Sequence, residues 1–157
     1  MRKARNLMDL EGYLSGAGIW HRFLEKPETV HTADASRETG INLARITKNL
    51  VCKTVDGQFA LLIIPGNRRV NLRDAARALG VQNIQLLAFT EAESVSGYPP
   101  GGTPSVHHKL PLKVVIDDRL LAEETLFCGG GTRNRLLELK SKDILKLTNA
   151  TIATISE

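Results

Sequence analysis

The stretch Ser96–Lys109 reads SGYPPGGTPSVHHK, and it limits the possible folds more than any other segment of the chain. Six of the eight residues from Gly97 to Pro104 are glycine or proline. Proline removes a backbone donor and fixes φ, while glycine permits positive φ and close approach to the main chain. Such a segment is neither helix nor inner strand. It is an elaborate turn or a place where bare backbone meets a ligand, and His107 and His108 follow it at once.

Around this loop, short helical and extended patterns are mixed. Arg2–Leu14 spaces Leu7, Leu10 and Leu14 for an amphipathic helix, which Gly16 and Gly18 end. Ile19–Leu24 reads as a short strand, and Thr32–Thr39 as a helix stopped by Gly40. Ile46–Thr54 is extended, Asp56-Gly57 is a hairpin signal, and Gln58–Ile64 returns as an apolar strand buried on both faces. Asn71 caps a helix over Asn71–Leu79. Thr90–Val95 carries Thr90 and Glu93 at capping-box spacing.

Beyond the loop, Leu112–Ile116 is a strand, and a hairpin is expected around Gly129-Gly130-Gly131. Ser141 is placed to cap a helix over Ser141–Leu147, and Ala150–Ile155 alternates as a last strand. The mixture, with at least two hairpins, predicts an α+β fold and not a doubly wound parallel sheet. At 157 residues one domain, 1–157, is expected.

Composition narrows the function classes. No apolar run approaches the roughly 18 residues of a membrane span. The basic start MRKARNLMDLEGYL lacks a signal-peptide pattern, so a cytoplasmic protein is expected. Cys52 and Cys128 lie far apart in apolar surroundings, which predicts buried thiols and no disulfide framework. The net charge of +4 leans toward a polyanionic partner. Arg68, Arg69, Arg73 and Arg77 form one basic group, and Arg133, Arg135, Lys140, Lys142 and Lys146 a second. A solvated face explains such groups as well as a binding surface does.

Familiar catalytic patterns fail. GGGTRNR lacks the GK[ST] ending of a phosphate loop, and Gly101–Ser105 does not match a dinucleotide fingerprint. His107 and His108 are adjacent, and His21 and His31 lack ligand spacing, so neither a metal nor another cofactor is expected. One residue stands out: Lys48 sits inside the apolar strand ITKNLV. Alternation puts it on one face with Ile46 and Leu50, while Thr47, Asn49 and Val51 point the other way. A lysine there either snorkels to water or awaits an anion that arrives with a substrate.

The pieces HTADASRETG, ITKNLVCKT, LLIIPGNRRVNL, SGYPPGGTPSVHH, LKVVIDDRLL and CGGGTRNRLLELKSKDILKLT follow in an order that resembles the YbaK/prolyl-tRNA synthetase-associated editing domain family. The resemblance is strongest over 32–147. It implies a mixed, mostly antiparallel, partly barrel-like sheet flanked by short helices. It also implies hydrolysis of wrongly charged aminoacyl-tRNA, with the proline acceptor carrying alanine, serine or cysteine as the expected substrate.

By resemblance, the family's catalytic lysine falls on Lys48 and its GxxxP substrate loop on Gly101, Gly102, Thr103, Pro104 and Ser105. The chain departs there, because Ser105 holds the fifth position and the proline comes one earlier. The family's following histidine falls on His108, and His107 occupies what is commonly a glycine. Val106, Thr32 and Ala33 are expected to line the amino-acid pocket with the loop. Arg68, Arg69, Arg133 and Arg135 are expected on tRNA phosphates. Members of the family are thought to use the ribose hydroxyl of the tRNA and a positioned water in place of a protein base. The partners implied are an aminoacyl-tRNA and an aminoacyl-tRNA synthetase, with no membrane; monomer and homodimer both stay open. Two other readings remain at this point: a non-catalytic RNA- or protein-binding module, and a hydrolase with Cys52 or Cys128 as nucleophile.

Overall fold

The computed structural model describes residues 9–157. The first helix, α1, spans Leu10–Gly16, with Asp9 accepting a hydrogen bond from the Glu11 amide at 3.1 Å as its cap. The earlier part of the expected helix, Leu7 included, lies outside the described residues. Next come β1 (His21–Glu25), α2 (Thr32–Thr39), β2 (Thr47–Thr54) and β3 (Phe59–Pro65). These are followed by α3 (Leu72–Leu79), β4 (Ile84–Leu86) and α4 (Phe89–Ser96). After the glycine-proline loop come β5 (Lys113–Asp117), β6 (Thr125–Gly129), β7 (Arg135–Lys140), α5 (Ser141–Thr148) and β8 (Thr151–Ala153).

The α+β expectation holds, but the strands form two sheets and not one closed barrel. One is antiparallel, in the order β1-β7-β6, and the other is mixed, in the order β4-β2-β3-β5-β8. β2 runs antiparallel to β3 and β4, whereas β3, β5 and β8 run parallel.

The apolar run of β3 organises both layers. Leu61 and Ile63 point into the core between the sheets, beside Val51, Val114, Ile116, Leu126 and Leu137. Ala60, Leu62 and Ile64 point the other way and pack with Cys52, Val115 and Ala75 of α3. A strand at the centre of the sheet has no solvated face, so its sequence loses the polar alternation of an edge strand.

Three capping expectations meet different outcomes. Asn71 does cap α3, accepting from the Asp74 amide at 3.0 Å. Thr90 does not cap α4: the helix starts one residue earlier, with Ala88 in the cap position and no side-chain cap bond. Ser141 is the first residue of α5, after Lys140 at the cap, and its hydroxyl bonds the Glu123 carbonyl at 2.7 Å. β4 was not legible in the sequence, because three residues with two side chains exposed give no periodic signal.

The glycine-proline loop is stitched to the end of β6. The Gly129 amide donates to the Thr103 carbonyl at 3.2 Å, and the Gly131 amide to the Gly102 carbonyl at 2.9 Å. A Cβ on Gly129 would stand 2.3 Å from the Gly102 carbonyl carbon and 2.5 Å from the Thr103 nitrogen. Backbone cannot yield as a flexible side chain can. Gly129→Ala is therefore expected to lower unfolding stability by about 1–3 kcal/mol, the usual scale of overpacking. Denaturant titration checks this; an unchanged midpoint would mean that the loop is not clamped on β6.

Candidate active site

The site begins where β4 stops. β4 pairs with Cys52, Lys53 and Thr54 of β2, while β3 pairs along Thr47–Lys53 on the other side. The Leu87 amide adds one more bond, to the Val51 carbonyl at 3.0 Å. Before Val51 the edge of β2 opens into a cavity of about 540 Å³, walled by Thr47, Lys48, Asn49, Leu50 and Val51. In an antiparallel ladder, alternate residues turn their polar groups to opposite neighbours. The Val51–Leu87 bond fixes the parity, so the backbone N–H and C=O of Asn49 face the cavity. A strand edge of this kind presents a donor and an acceptor at fixed spacing.

Opposite this edge stands the glycine-proline loop. Gly101 and Thr103 line the cavity, and Gly101 has φ +86°. A Cβ there would meet the Thr29 carbonyl oxygen and Val30 Cα, both at 2.7 Å, so glycine is needed for spacing as well as for conformation. Thr32 and Ala33, in the first turn of α2, form another wall. The Thr32 hydroxyl donates to the Gly66 carbonyl at 3.2 Å.

Lys48 does not face the core between the sheets. It lies on the α3 side of β2 with Leu50, at the open end, while Ile46 turns away and packs with Ala35, Phe127 and Leu136. Alternation is broken at Ile46 because a short 3-10 turn, Leu43–Arg45, ends there. The Lys48 ammonium donates to the Arg68 carbonyl at 2.7 Å. Of its three donors, two remain for a ligand among the described residues. Burial, and then the Arg69 charge, hold its pKa below the ordinary lysine value. Lys48, Arg68 and Arg69 also line an adjoining groove of about 570 Å³ against one carboxylate, Glu157, giving the mouth a side with an excess of positive charge.

The other expected site residues are distributed differently. Pro104, Ser105, Val106 and His108 are buried beneath the loop and are not among the residues that line the cavity. The Ser105 hydroxyl donates to the Asn49 side-chain oxygen at 2.7 Å, and His108 Nε2 lies 2.8 Å from the Pro104 carbonyl. Val106 belongs to the main core. Gly102 packs on the backbone of Thr132, 2.9 Å from the position of a Cβ. These residues shape the loop from below. His107 has φ +64°, a conformation natural to glycine, and its ring stacks on Tyr13 at 4.1 Å.

Arg133 and Arg135 are engaged in the protein itself. Arg133 Nε donates to the Pro100 carbonyl at 2.7 Å. Arg135 Nε donates to the Gly130 carbonyl at 2.6 Å, and its guanidinium lies 3.9 Å from the Phe23 ring centre.

Sequence reasoning missed Lys26. It is 8 % exposed and lines the cavity. Its ammonium bonds the Thr29 hydroxyl and the Pro27 and Arg133 carbonyls, which uses all three donors. Desolvation, opposed by Glu28 and Glu38, lowers its pKa. It ties Thr29 and Arg133 together, and these two segments hold Gly101 and Pro100. Nothing in EKPETV marks it, because its partners are main-chain groups distant in sequence.

The thiol reading is not supported. Cys52 and Cys128 are buried and outside the cavity lining, and desolvation pushes their thiols up to about 12 and about 11. A nucleophilic cysteine needs the reverse. Tyr98 lines the cavity, but its hydroxyl donates to the His107 carbonyl at 2.8 Å and burial raises its pKa to about 12. Glu93, at the exposed rim, is the one carboxylate among the lining residues. No cluster of histidine, cysteine and acidic residues fit for a metal occurs among the described residues. Nor is any described helix long and apolar enough to cross a membrane.

An open strand edge, a glycine loop and a lysine with donors to spare suit an ester whose carbonyl develops negative charge, a reaction that needs donors more than a protein base. The family model for the aminoacyl-tRNA editing domain matches residues 26–147. The chain belongs to this family. Membership carries the reaction class with it: hydrolysis of an aminoacyl-tRNA ester. The chain is 25 % identical over 136 residues to an Enterococcus faecalis protein named "Putative Cys-tRNA(Pro)/Cys-tRNA(Cys) deacylase EbsC", covering 87 % of this chain and 83 % of that one. It is 30 % identical over 89 residues to a proline–tRNA ligase of Acidithiobacillus ferrooxidans, covering 57 % of this chain and 15 % of the ligase. A solved structure described as "a putative trans-editing enzyme for prolyl tRNA synthetase" superposes with a TM-score of 0.84 at 29 % identity over 94 % of both chains.

Two outcomes follow from the lysines. If the Lys48 cation is used, activity above the hydroxide background is full at lower pH. It falls as pH rises through the lowered pKa, earlier than for an ordinary lysine. Arg69→Ala removes a like charge and should move that fall to higher pH; a profile flat through the alkaline range would exclude the cation. Lys26→Met should cost about 1–3 kcal/mol of stability, the scale for stranded buried polar partners, as read from denaturant midpoints, and should lower the deacylation rate by loosening the loop.

Proposed function

We propose that the chain removes a small, wrongly attached amino acid from tRNA, with the proline acceptor as the first candidate and alanine, serine or cysteine as the acyl group. One observation carries this reading: a single cavity joins Lys48, the open edge of β2 at Asn49 and the loop residues Gly101 and Thr103. Its volume falls in the range of small-molecule sites, about 300–1,000 Å³. The likeness to the Enterococcus protein and to the synthetase supports the choice of acceptor.

In this reading a water oxygen adds to the ester carbonyl carbon, and the carbonyl oxygen becomes an oxyanion. The Gly101, Thr103 and Asn49 N–H groups are the donors available to it, since the Gly102 amide is spent on the Pro99 carbonyl. The tetrahedral intermediate then collapses, the bond to the ribose oxygen breaks, and that oxygen takes up a proton. The ribose hydroxyl of the substrate serves as proton carrier, since the lining offers one exposed carboxylate. Lys48, with Arg68 and Arg69, meets the terminal phosphate as a point charge. Selection comes from size: one methylene is worth only about 1–3 kcal/mol to a synthetase, so a second cavity that admits only the smaller product corrects the error. A docked synthetase would raise the local concentration of mischarged tRNA.

The deciding experiment is deacylation of the proline acceptor charged in turn with alanine, serine, cysteine, threonine and proline. One or two wrong esters should be cleaved and proline spared. Lys48→Ala should fold normally and lose about 10²–10³-fold in rate, the scale for one preorganised electrostatic group. Near wild-type rate in a folded Lys48→Ala protein would remove the lysine from the mechanism. Binding of tRNA without cleavage of any ester would favour the non-catalytic module.

A further inference from the structure

Phe89 is out of place for a phenylalanine. Of the four in the chain, Phe23 and Phe59 pack against the main core and Phe127 is buried, whereas Phe89 is 58 % exposed. It is the first residue of α4, between Leu87 and Ala92, both packed on the core. The Leu87–Val51 backbone bond fixes this corner against β2. The ring is thus presented to solvent by a rigid support. Leu86, three residues earlier at the end of β4, is 37 % exposed, and both residues line the cavity that holds Lys48.

The mouth of the cavity therefore has two unlike sides. Lys48 and Arg69 make one cationic, while β4 and α4 bring the apolar surfaces of Leu86 and Phe89 to the other, with the Glu93 carboxylate one turn along α4 from the ring. A nucleotide has this pairing of properties, a π-face on one side and a phosphate on the other. We propose that Phe89, backed by Leu86, is the platform on which the terminal adenine of the tRNA stacks while its ester lies in the cavity. This rests on the deacylase reading above. With the acyl group inside, the base attached to the same ribose emerges at the rim. Stacking on one aromatic ring fixes that nucleoside without hydrogen-bond readout, which suits an end common to all tRNAs.

The test compares wild type, Phe89→Ala and Phe89→Trp on a mischarged tRNA that the wild type cleaves. Phe89→Ala should raise KM about tenfold or more, the scale of base–aromatic stacking, and leave kcat within about threefold; Phe89→Trp should retain wild-type KM. A second readout is an uncharged acceptor-stem hairpin ending in 2-aminopurine riboside. Its fluorescence should be quenched by wild type and by Phe89→Trp, and not by Phe89→Ala at protein concentrations that saturate the hairpin. Equal kcat/KM in Phe89→Ala and wild type, or equal quenching, overturns the platform and leaves the deacylase reading intact. Loss of wild-type self-association in Phe89→Ala, with kcat/KM unchanged, would assign the patch to a second copy of the chain instead. If wild type cleaves no charged tRNA, the reading and the platform fall together.

Discussion

The site depends on main chain packed against main chain. Gly129 lies against Gly102 and Thr103, Gly102 against Thr132, and Gly101 against Thr29 and Val30. Each contact is closer than a Cβ allows. Three segments far apart in sequence thereby meet with almost no side-chain mass between them. The result is a wall of backbone, set at a fixed distance from the edge of β2. A wall made from side chains would be softer, since rotamers move and backbone in contact with backbone does not. The prolines at positions 99, 100 and 104 limit the conformations that the loop could adopt when unfolded, which favours the ordered state further.

Chemistry at this site leans on charge and fixed dipoles. The lining residues hold two lysines and an arginine against one exposed carboxylate. The two lysines play different parts. Lys26 has spent its donors on a hydroxyl and two carbonyls, so it secures the architecture. Lys48 has spent one on the Arg68 carbonyl and stands at the boundary of two cavities. Burial lowers both pKa values, but only Lys48 has a second cation, Arg69, acting in the same direction. An ammonium in that position gains most from an incoming anion, because the anion offsets both the desolvation and the like-charge repulsion.

Much of the fold was legible because local signals agreed with the tertiary structure. The Asp56-Gly57 turn, the Asn71 cap, the Gly40 stop and the unbroken apolar run of β3 each have one physical meaning. The division into two sheets was not legible, because strand order depends on pairings that leave no local trace. Of the site, Lys48 was visible as a charge in an apolar strand, and the loop as a bare segment. The depth of each loop residue was not: Ser105, Val106 and His108 lie underneath, and only the folded chain shows that Asn49, the core and the Pro104 carbonyl hold them in turn. Arg133 and Arg135 stood out as cations, but nothing in the sequence showed that each gives its Nε–H to a carbonyl, of Pro100 and of Gly130. Lys26 was overlooked for the complementary reason, since its partners are backbone groups that any sequence possesses.

The open edge of β2 has a second consequence, for solubility. An unpaired strand edge is a template on which another chain can add a strand, and long flat edges lead to aggregation. Here the open stretch is only Lys48–Leu50: Ile46 and Thr47 are held on Phe127 at one end, and Leu87 and β4 close the other. It is recessed between α2 and the loop, with Lys48 at its open end. An extended foreign segment would have to bend into the recess and desolvate an ammonium, whereas the tip of a small ester can enter end-on. The same recess that lets backbone groups serve a ligand therefore keeps them from seeding a fibril.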